Sequence, residues 1–287
     1  MFYLKGPEEF LSTVTALTYQ KNRDVSSLEE LKERYVAFTC KVSGENINDI
    51  NVADKYSYCD ARIKFLISRY KDPSQLTDIE TDILKTPKSS REQAAGVIEK
   101  GCQHLRDVNE DLYEVFDFAI HTVFYHRSSC TGGGSVSSLP GVIWCSPRLE
   151  WSLNDMSEFL VHELAHNMLF IDERRFRHYV DFDDIAKPEN YARSAVLMRN
   201  RPLDKVFHSL IVAHEVLAFR LENGEPDNPM VHPNTFEMLE AAFVTVDSIK
   251  DTISKAELVT DRFIYLLDEV ELSLKKLETL YARKEVA

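Results

Sequence analysis

Cysteine, positive charge and long apolar runs are all in short supply in this chain, and each shortage removes a class of protein. The five cysteines, Cys40, Cys59, Cys102, Cys130 and Cys145, are odd in number, scattered, and never spaced C-x-x-C. That pattern argues against a disulfide framework or a cysteine-based structural zinc site, and it fits a reducing cytoplasm. No run approaches the roughly 18 apolar residues of a membrane-spanning helix. Met1 to Glu9 carries no basic segment leading into an apolar one, so no signal peptide is expected and a cytoplasmic setting is. Lysine and arginine total 34 against 47 acidic residues, a formal net charge of −13. A nucleic-acid backbone or an anionic membrane surface would be repelled by that balance, so neither is expected as a partner.

What the chain does have is a soluble protein's balance, 44% hydrophobic and 28% charged residues over 287 positions, enough to bury a substantial core. Its character changes along the sequence. Residues 1–110 read as a helical region, 111–225 as a catalytic core, and 226–287 as helices packing on that core, the whole forming one continuous domain. In the first region, Ser27-Leu28-Glu29-Glu30 is a capping box opening a helix to about Phe38, and residues 61–70 and 91–108 are helical in pattern. Pro73, Ser74 and Pro87 mark a loop with room for one short helix. Leu112 to Tyr125 is rich in Phe, Val, Ile, Tyr and Thr and reads as a strand, with Val142 to Cys145 a second. Between them Gly132-Gly133-Gly134 lacks the G-K-[ST] continuation of a phosphate loop, so a flexible hairpin connection is the expectation. His121 and His126, on or just after the first strand, read as structural.

One stretch carries chemistry. Leu160-Val161-His162-Glu163-Leu164-Ala165-His166-Asn167 holds H-E-x-x-H within an apolar helical run from Phe159 to about Phe170, and Ser152-x-x-Asp155 ahead of it resembles a capping box. Positions i and i+4 share a helix face, so both imidazoles can bind one metal ion as neutral bases. Glu163 projects about 100° around the helix from His162, near the ion without being a ligand.

A catalytic metal needs a third protein ligand. The pattern with a glycine three residues after His166 and a histidine six after is absent; Leu169 and Asp172 occupy those places. Two candidates lie on a helix that starts at Pro202 and runs to about Asn223. One is Glu215, the glutamate a thermolysin-like zinc peptidase would use, though the Asn before it and the Ser-Asp after it are missing. The other is His208, with Ile211, Val212 and Glu215 along its face. Spacing does not choose between them. Farther on, the carboxylates of Asp181, Asp183 and Asp184 read as a solvated loop, residues 237–250 as a helix, and Phe263, Leu267, Val270, Leu274, Leu277 and Tyr281 as a heptad-like seam packing on the same chain.

Three blocks, Ser138-Leu139-Pro140-Gly141-Val142-Ile143, Val161 to Asn167, and Arg201-Pro202-Leu203 through Val206 and His208, together resemble the H-E-x-x-H family of 2-oxoglutarate-dependent peptide β-hydroxylases. That family is associated with ribosomally made, modified peptides, and the resemblance covers about residues 130–220. It implies Fe(II) held by His162, His166 and His208, with 2-oxoglutarate as cosubstrate. The cosubstrate arginine would be Arg201, with Arg193 and Arg199 as alternatives. The family's aromatic-Ser-Pro-Trp-Arg run is only partly matched, by Tyr191 and Ser194, with Val196 and Leu197 replacing Trp and Arg. The reaction implied is hydroxylation of a C–H, at the β-carbon of a side chain, in a peptide substrate; the acidic balance of the protein suits one with a basic segment. The alternative is a zinc metallopeptidase in which Glu163 is the general base and Glu215 or His208 the third ligand. The expected fold is α+β, predominantly α-helical, with a small β-sheet beside the metal-binding helix.

Overall fold

The computed structural model describes residues 1–21, 23–50, 60–70, 88–125 and 132–286. His126, Cys59, Cys130 and the expected loop after Tyr70 lie outside the described residues. Helix accounts for 67% of the structure, with one three-stranded and one two-stranded sheet among the described residues, so the helix-dominated α+β expectation holds. No described helix is long and apolar enough to cross a membrane. The chain divides into two compact units, residues 11–171 and residues 1–10 with 172–287.

The second of these contains α1 (Phe2–Lys5), and α2 (Pro7–Leu17) follows it. The unit of residues 11–171 is built from α3 (Leu28–Ser43), α4 (Asp60–Tyr70), α5 (Lys88–Val108), α6 (Glu110–Ala119), β1 (Thr122–Tyr125), β2 (Gly133–Gly134), β3 (Val142–Cys145) and most of α7 (Leu153–Phe176). Ser27 caps α3 as the sequence suggests, accepting from the Glu30 N–H at 3.1 Å. The reciprocal half differs: Glu30 reaches Ser26, whose N–H and hydroxyl donate to it at 3.0 and 2.6 Å.

The strand expected over residues 112–125 is corrected. Only Thr122–Tyr125 is extended, and Glu110–Ala119 is helix. Leu112, Val115, Phe116 and Ala119 are buried at helical spacing, and Asn109 caps the start by accepting from the Leu112 N–H at 2.9 Å. Period and cap outweigh the β-forming composition. The hairpin is corrected too. β1 and β3 pair in parallel, Thr122 opposite Val142, whereas the glycines form β2, antiparallel on the other edge of β3, with Gly134 opposite Trp144. A parallel pair cannot be closed by a tight turn. All four residues of β3 are buried, as befits its central place. Under the sheet Ile63, Leu66, Ile67 and Tyr70 of α4 pack with Phe124, Leu139, Val142 and Trp144. The Tyr70 hydroxyl donates to the Val142 carbonyl at 3.2 Å, so this polar tip is satisfied inside the core.

The other unit is organised around α9 (Leu203–Asn223), in which every residue from Val206 to Arg220 is buried. Such a helix is core on all sides. Before it come α8 (Phe182–Ile185), capped by Asp181, and a hairpin of β4 (Ala192–Arg193) and β5 (Asn200–Arg201). After it come α10 (Thr235–Ile253) and α11 (Asp261–Val286). The carboxylates of Asp181, Asp183 and Asp184, expected in a solvated loop, instead form the N-cap and first turn of the short helix α8, and α7 continues to Phe176. The seam on α11 packs as anticipated: Phe263, Leu267, Val270, Leu274, Leu277 and Tyr281 are all buried, and Phe263 lies 4.1 Å from Phe207 of α9, centroid to centroid.

Candidate metal centre

The helix that bears the motif begins with a reciprocal cap. The Asp155 N–H donates to the Ser152 hydroxyl at 3.0 Å, and the Ser152 N–H donates back to the Asp155 carboxylate at 2.9 Å. From Asp155 to Ile171 every residue is buried except His162 and His166, which are half-buried. Within that stretch the helix opens to its surroundings only at the two imidazoles. Their Nε2 atoms lie 3.1 Å apart. Two nitrogens each about 2.0–2.1 Å from a common ion, at angles between octahedral and tetrahedral, are separated by about 2.9–3.4 Å. The pair therefore already has the spacing of a chelate. His166 also stacks on Phe170, which limits its rotation.

Glu163 is 2% exposed and points the other way from solvent. Burial pushes its pKa up to about 8, and a hydrogen bond from the Ser135 hydroxyl pulls against that. Its Oε1 lies 3.8 Å from His162 Nε2, and its Oε2 is a buried oxygen with no hydrogen-bond partner. A buried orphan acceptor on the residue next to His162 is the arrangement expected where a bound ion's water or ligand would complete the bonding.

Asn167, fully buried, ties this helix to the sheet. It accepts from the Gly141 N–H at 2.8 Å and donates to the Ser135 hydroxyl and the Glu163 carbonyl, each at 2.9 Å. Gly141 has φ +83, and a Cβ there would come within 2.5 Å of the His121 ring. At Gly133 a Cβ would meet Phe159 Cζ of α7 at 2.3 Å and the Trp144 carbonyl at 2.5 Å. The glycines here serve close packing between sheet and helix, with aromatic groups where a phosphate would have to sit. His121 is structural as expected, 2% exposed and bonded to the hydroxyls of Thr39 and Thr122.

His208, Arg201 and Glu215 belong to the other unit. His208 Nε2 lies 3.3 Å from Glu173 Oε1, and Glu173 in turn is 3.7 Å from His178 Nδ1. His178 Nε2 is bonded to Asp172 at 2.7 Å, and Arg262 closes the cluster with a 2.5 Å ion pair to Asp172. Asp172 is thus tied into an ion-pair network. Glu215 is committed as well. Its two oxygens accept from the Tyr3 and Leu4 N–H groups at 3.0 Å, and the Met1 ammonium is 3.3 Å away. Burial works to raise its pKa, but Met1, His214 and the Tyr3 N–H hold it down at about 2.

The three arginines considered for a cosubstrate lie on the β4–β5 hairpin. Ser209 of α9 pins it, accepting from the Ala195 N–H and the Ser194 hydroxyl, while Ser248 of α10 accepts from the Arg193 N–H. Arg193 and Arg199 are exposed and Arg201 is half-buried. Burial and neighbouring Arg199 both lower the Arg201 pKa, against a smaller pull from Asp204.

Among the described residues no group of three or more His, Cys, Asp or Glu side chains is gathered tightly enough to hold a metal ion. The motif pair is formed, with no third donor closed around it among the described residues. Sequence reasoning missed Ser135, Asn167 and Glu173. Asn167 had one usable signal, its place one turn after Glu163 on a buried helix. No family model matches the protein, and no curated protein matches it.

Proposed function

We propose that the protein is an Fe(II)- and 2-oxoglutarate-dependent oxygenase that hydroxylates a peptide substrate at the β-carbon of one of its residues. The observation that carries the metal reading is the 3.1 Å separation of His162 and His166 Nε2. The donor set fits iron, since imidazole suits it and the oxygenase class uses few protein ligands so that positions stay open. His208 is proposed as the third ligand, on the strength of the sequence resemblance. Supporting it over Glu215 is the engagement of both Glu215 oxygens at the start of α1. When bound, the iron would supply the oxygen activation that the reaction requires.

The protein's own groups divide the remaining work. His162 and His166 offer Nε2 lone pairs as neutral bases, and Asn167 holds their helix against the sheet. The half-buried Arg201 guanidinium would pair with the distal carboxylate of 2-oxoglutarate, bidentate and charge-assisted, in surroundings where water competes less. The net charge of −13 suits a peptide with a basic segment.

The test is succinate release by anaerobically purified protein loaded with Fe(II) and then given 2-oxoglutarate and air. Succinate formation that is lost in His162→Ala and His208→Ala supports the reading. Absence of succinate, with tightly held zinc whose retention depends on His162 and His166, would transfer the site to peptide hydrolysis.

A further inference from the structure

The Asn167 side-chain amide is fixed in one orientation by its hydrogen bonds. Its Oδ1 accepts from Gly141, so the amide cannot flip without losing that bond, and its Nδ2 donates to Ser135 Oγ at 2.9 Å. A serine that accepts on one lone pair has its own hydrogen free for another acceptor. The acceptor in reach is the Glu163 carboxylate. Because Asn167 is 0% and Glu163 2% exposed, water does not compete for these bonds. The donor order Asn167 N–H to Ser135 O–H to Glu163 is therefore fixed by the Gly141 backbone.

We infer that Ser135 and Asn167 are positioning residues for Glu163: they hold its carboxylate by a directed hydrogen bond and set it beside the His162/His166 pair, where Oε1 lies 3.8 Å from His162 Nε2. This rests on the metal-centre reading proposed above. It adds to that reading two residues outside the H-E-x-x-H signature, one of them supplied by the glycine-rich segment. A purely mechanical role for Asn167, clamping the sheet to α7, needs only the Gly141 and Glu163 carbonyl bonds. The Ser135 bond is what distinguishes positioning from clamping.

Cobalt(II) binding to the full-length protein, read by its visible absorption bands and by equilibrium dialysis, is the test. The wild-type protein is expected to bind Co(II) with bands lost in His162→Ala. Ser135→Ala is expected to keep the fold by circular dichroism but to weaken Co(II) about tenfold and shift the bands, as removal of outer partners of a metal site typically does. Ser135→Thr, which keeps the hydroxyl, is expected to restore both. Asn167→Asp keeps the acceptor for Gly141 and loses the donor to Ser135, and should reproduce the Ser135→Ala spectrum where it folds. Wild-type affinity and bands in Ser135→Ala, with Glu163→Gln altered, would overturn the relay while leaving the metal centre standing. No Co(II) uptake by the wild-type protein would instead overturn the metal centre and this inference with it.

Discussion

His162 Nε2 and His166 Nε2 stand 3.1 Å apart on one face of α7. One hydrogen or one cation must lie between them, since two bare lone pairs would repel. A divalent ion satisfies both at once. Metal binding is therefore expected to stabilise the fold by linkage, by about 2.7 kcal/mol when free metal is a hundredfold above its Kd. Differential scanning fluorimetry should show Tm rising by roughly 5 °C with Fe(II) under anaerobic conditions, or with Co(II), and falling back with a chelator. His162→Ala and His166→Ala should show no metal-dependent rise.

A second prediction concerns acid stability. Glu215 lies buried at the start of α1 with its pKa at about 2, below the ordinary 4.5. A carboxyl depressed in the folded state contributes stability that is fully present above its unfolded pKa. That stability is lost as pH falls from about 4.5 towards 2, because there the unfolded state binds the extra proton. The shift corresponds to on the order of 3 kcal/mol. Urea unfolding of Glu215→Gln should show that loss already at pH 7 and a flatter decline between pH 5 and pH 3 than the wild type. An unchanged slope would mean that Glu215 is not the group responsible.

How much of this could be read from the sequence depended on range. The Ser152–Asp155 cap and the two-histidine face are set within one or two turns, and both appear as the sequence implies. The start of α9 behind Pro202 and the buried seam of α11 likewise follow from local signals. Residues 112–119 misled because Phe, Val and Tyr favour strands in general. The decisive evidence was the burial stripe and the Asn109 cap, which composition conceals. The Ser135–Asn167 bond joins residues 32 apart, and only the folded sheet brings them together. No periodicity encodes a contact of that kind.

The close approach of β2 to α7 gives a third prediction. A methyl group at position 133 would press on Phe159 Cζ and the Trp144 carbonyl, and the carbonyl belongs to β3 and cannot move aside cheaply. Gly133→Ala should cost about 1–3 kcal/mol, the usual penalty for overpacking. Since Phe159 lies one turn before His162 and Glu163, the same change should also weaken Co(II) binding. Gly96→Ala, where nothing lies within 4 Å of the added carbon, is the control and should be neutral or slightly stabilising in its helix.

The proposed cosubstrate role can be separated among the three hairpin arginines. Arg201 is half-buried while Arg193 and Arg199 are exposed, so an anion paired with Arg201 is screened least by water. Losing charge-assisted hydrogen bonds costs about 1.5–3 kcal/mol, which is roughly 10- to 150-fold in binding. In the succinate assay Arg201→Ala should raise the KM for 2-oxoglutarate within that range. Arg201→Lys should recover little of it, because a lysine ammonium offers a point charge where the guanidinium offers a planar fork. Arg193→Ala and Arg199→Ala should shift KM by less than about threefold, the ordinary effect of an exposed charge. A large KM increase in Arg199→Ala with Arg201→Ala near wild type would move the carboxylate partner to the loop just before β5, and with it the direction from which 2-oxoglutarate enters.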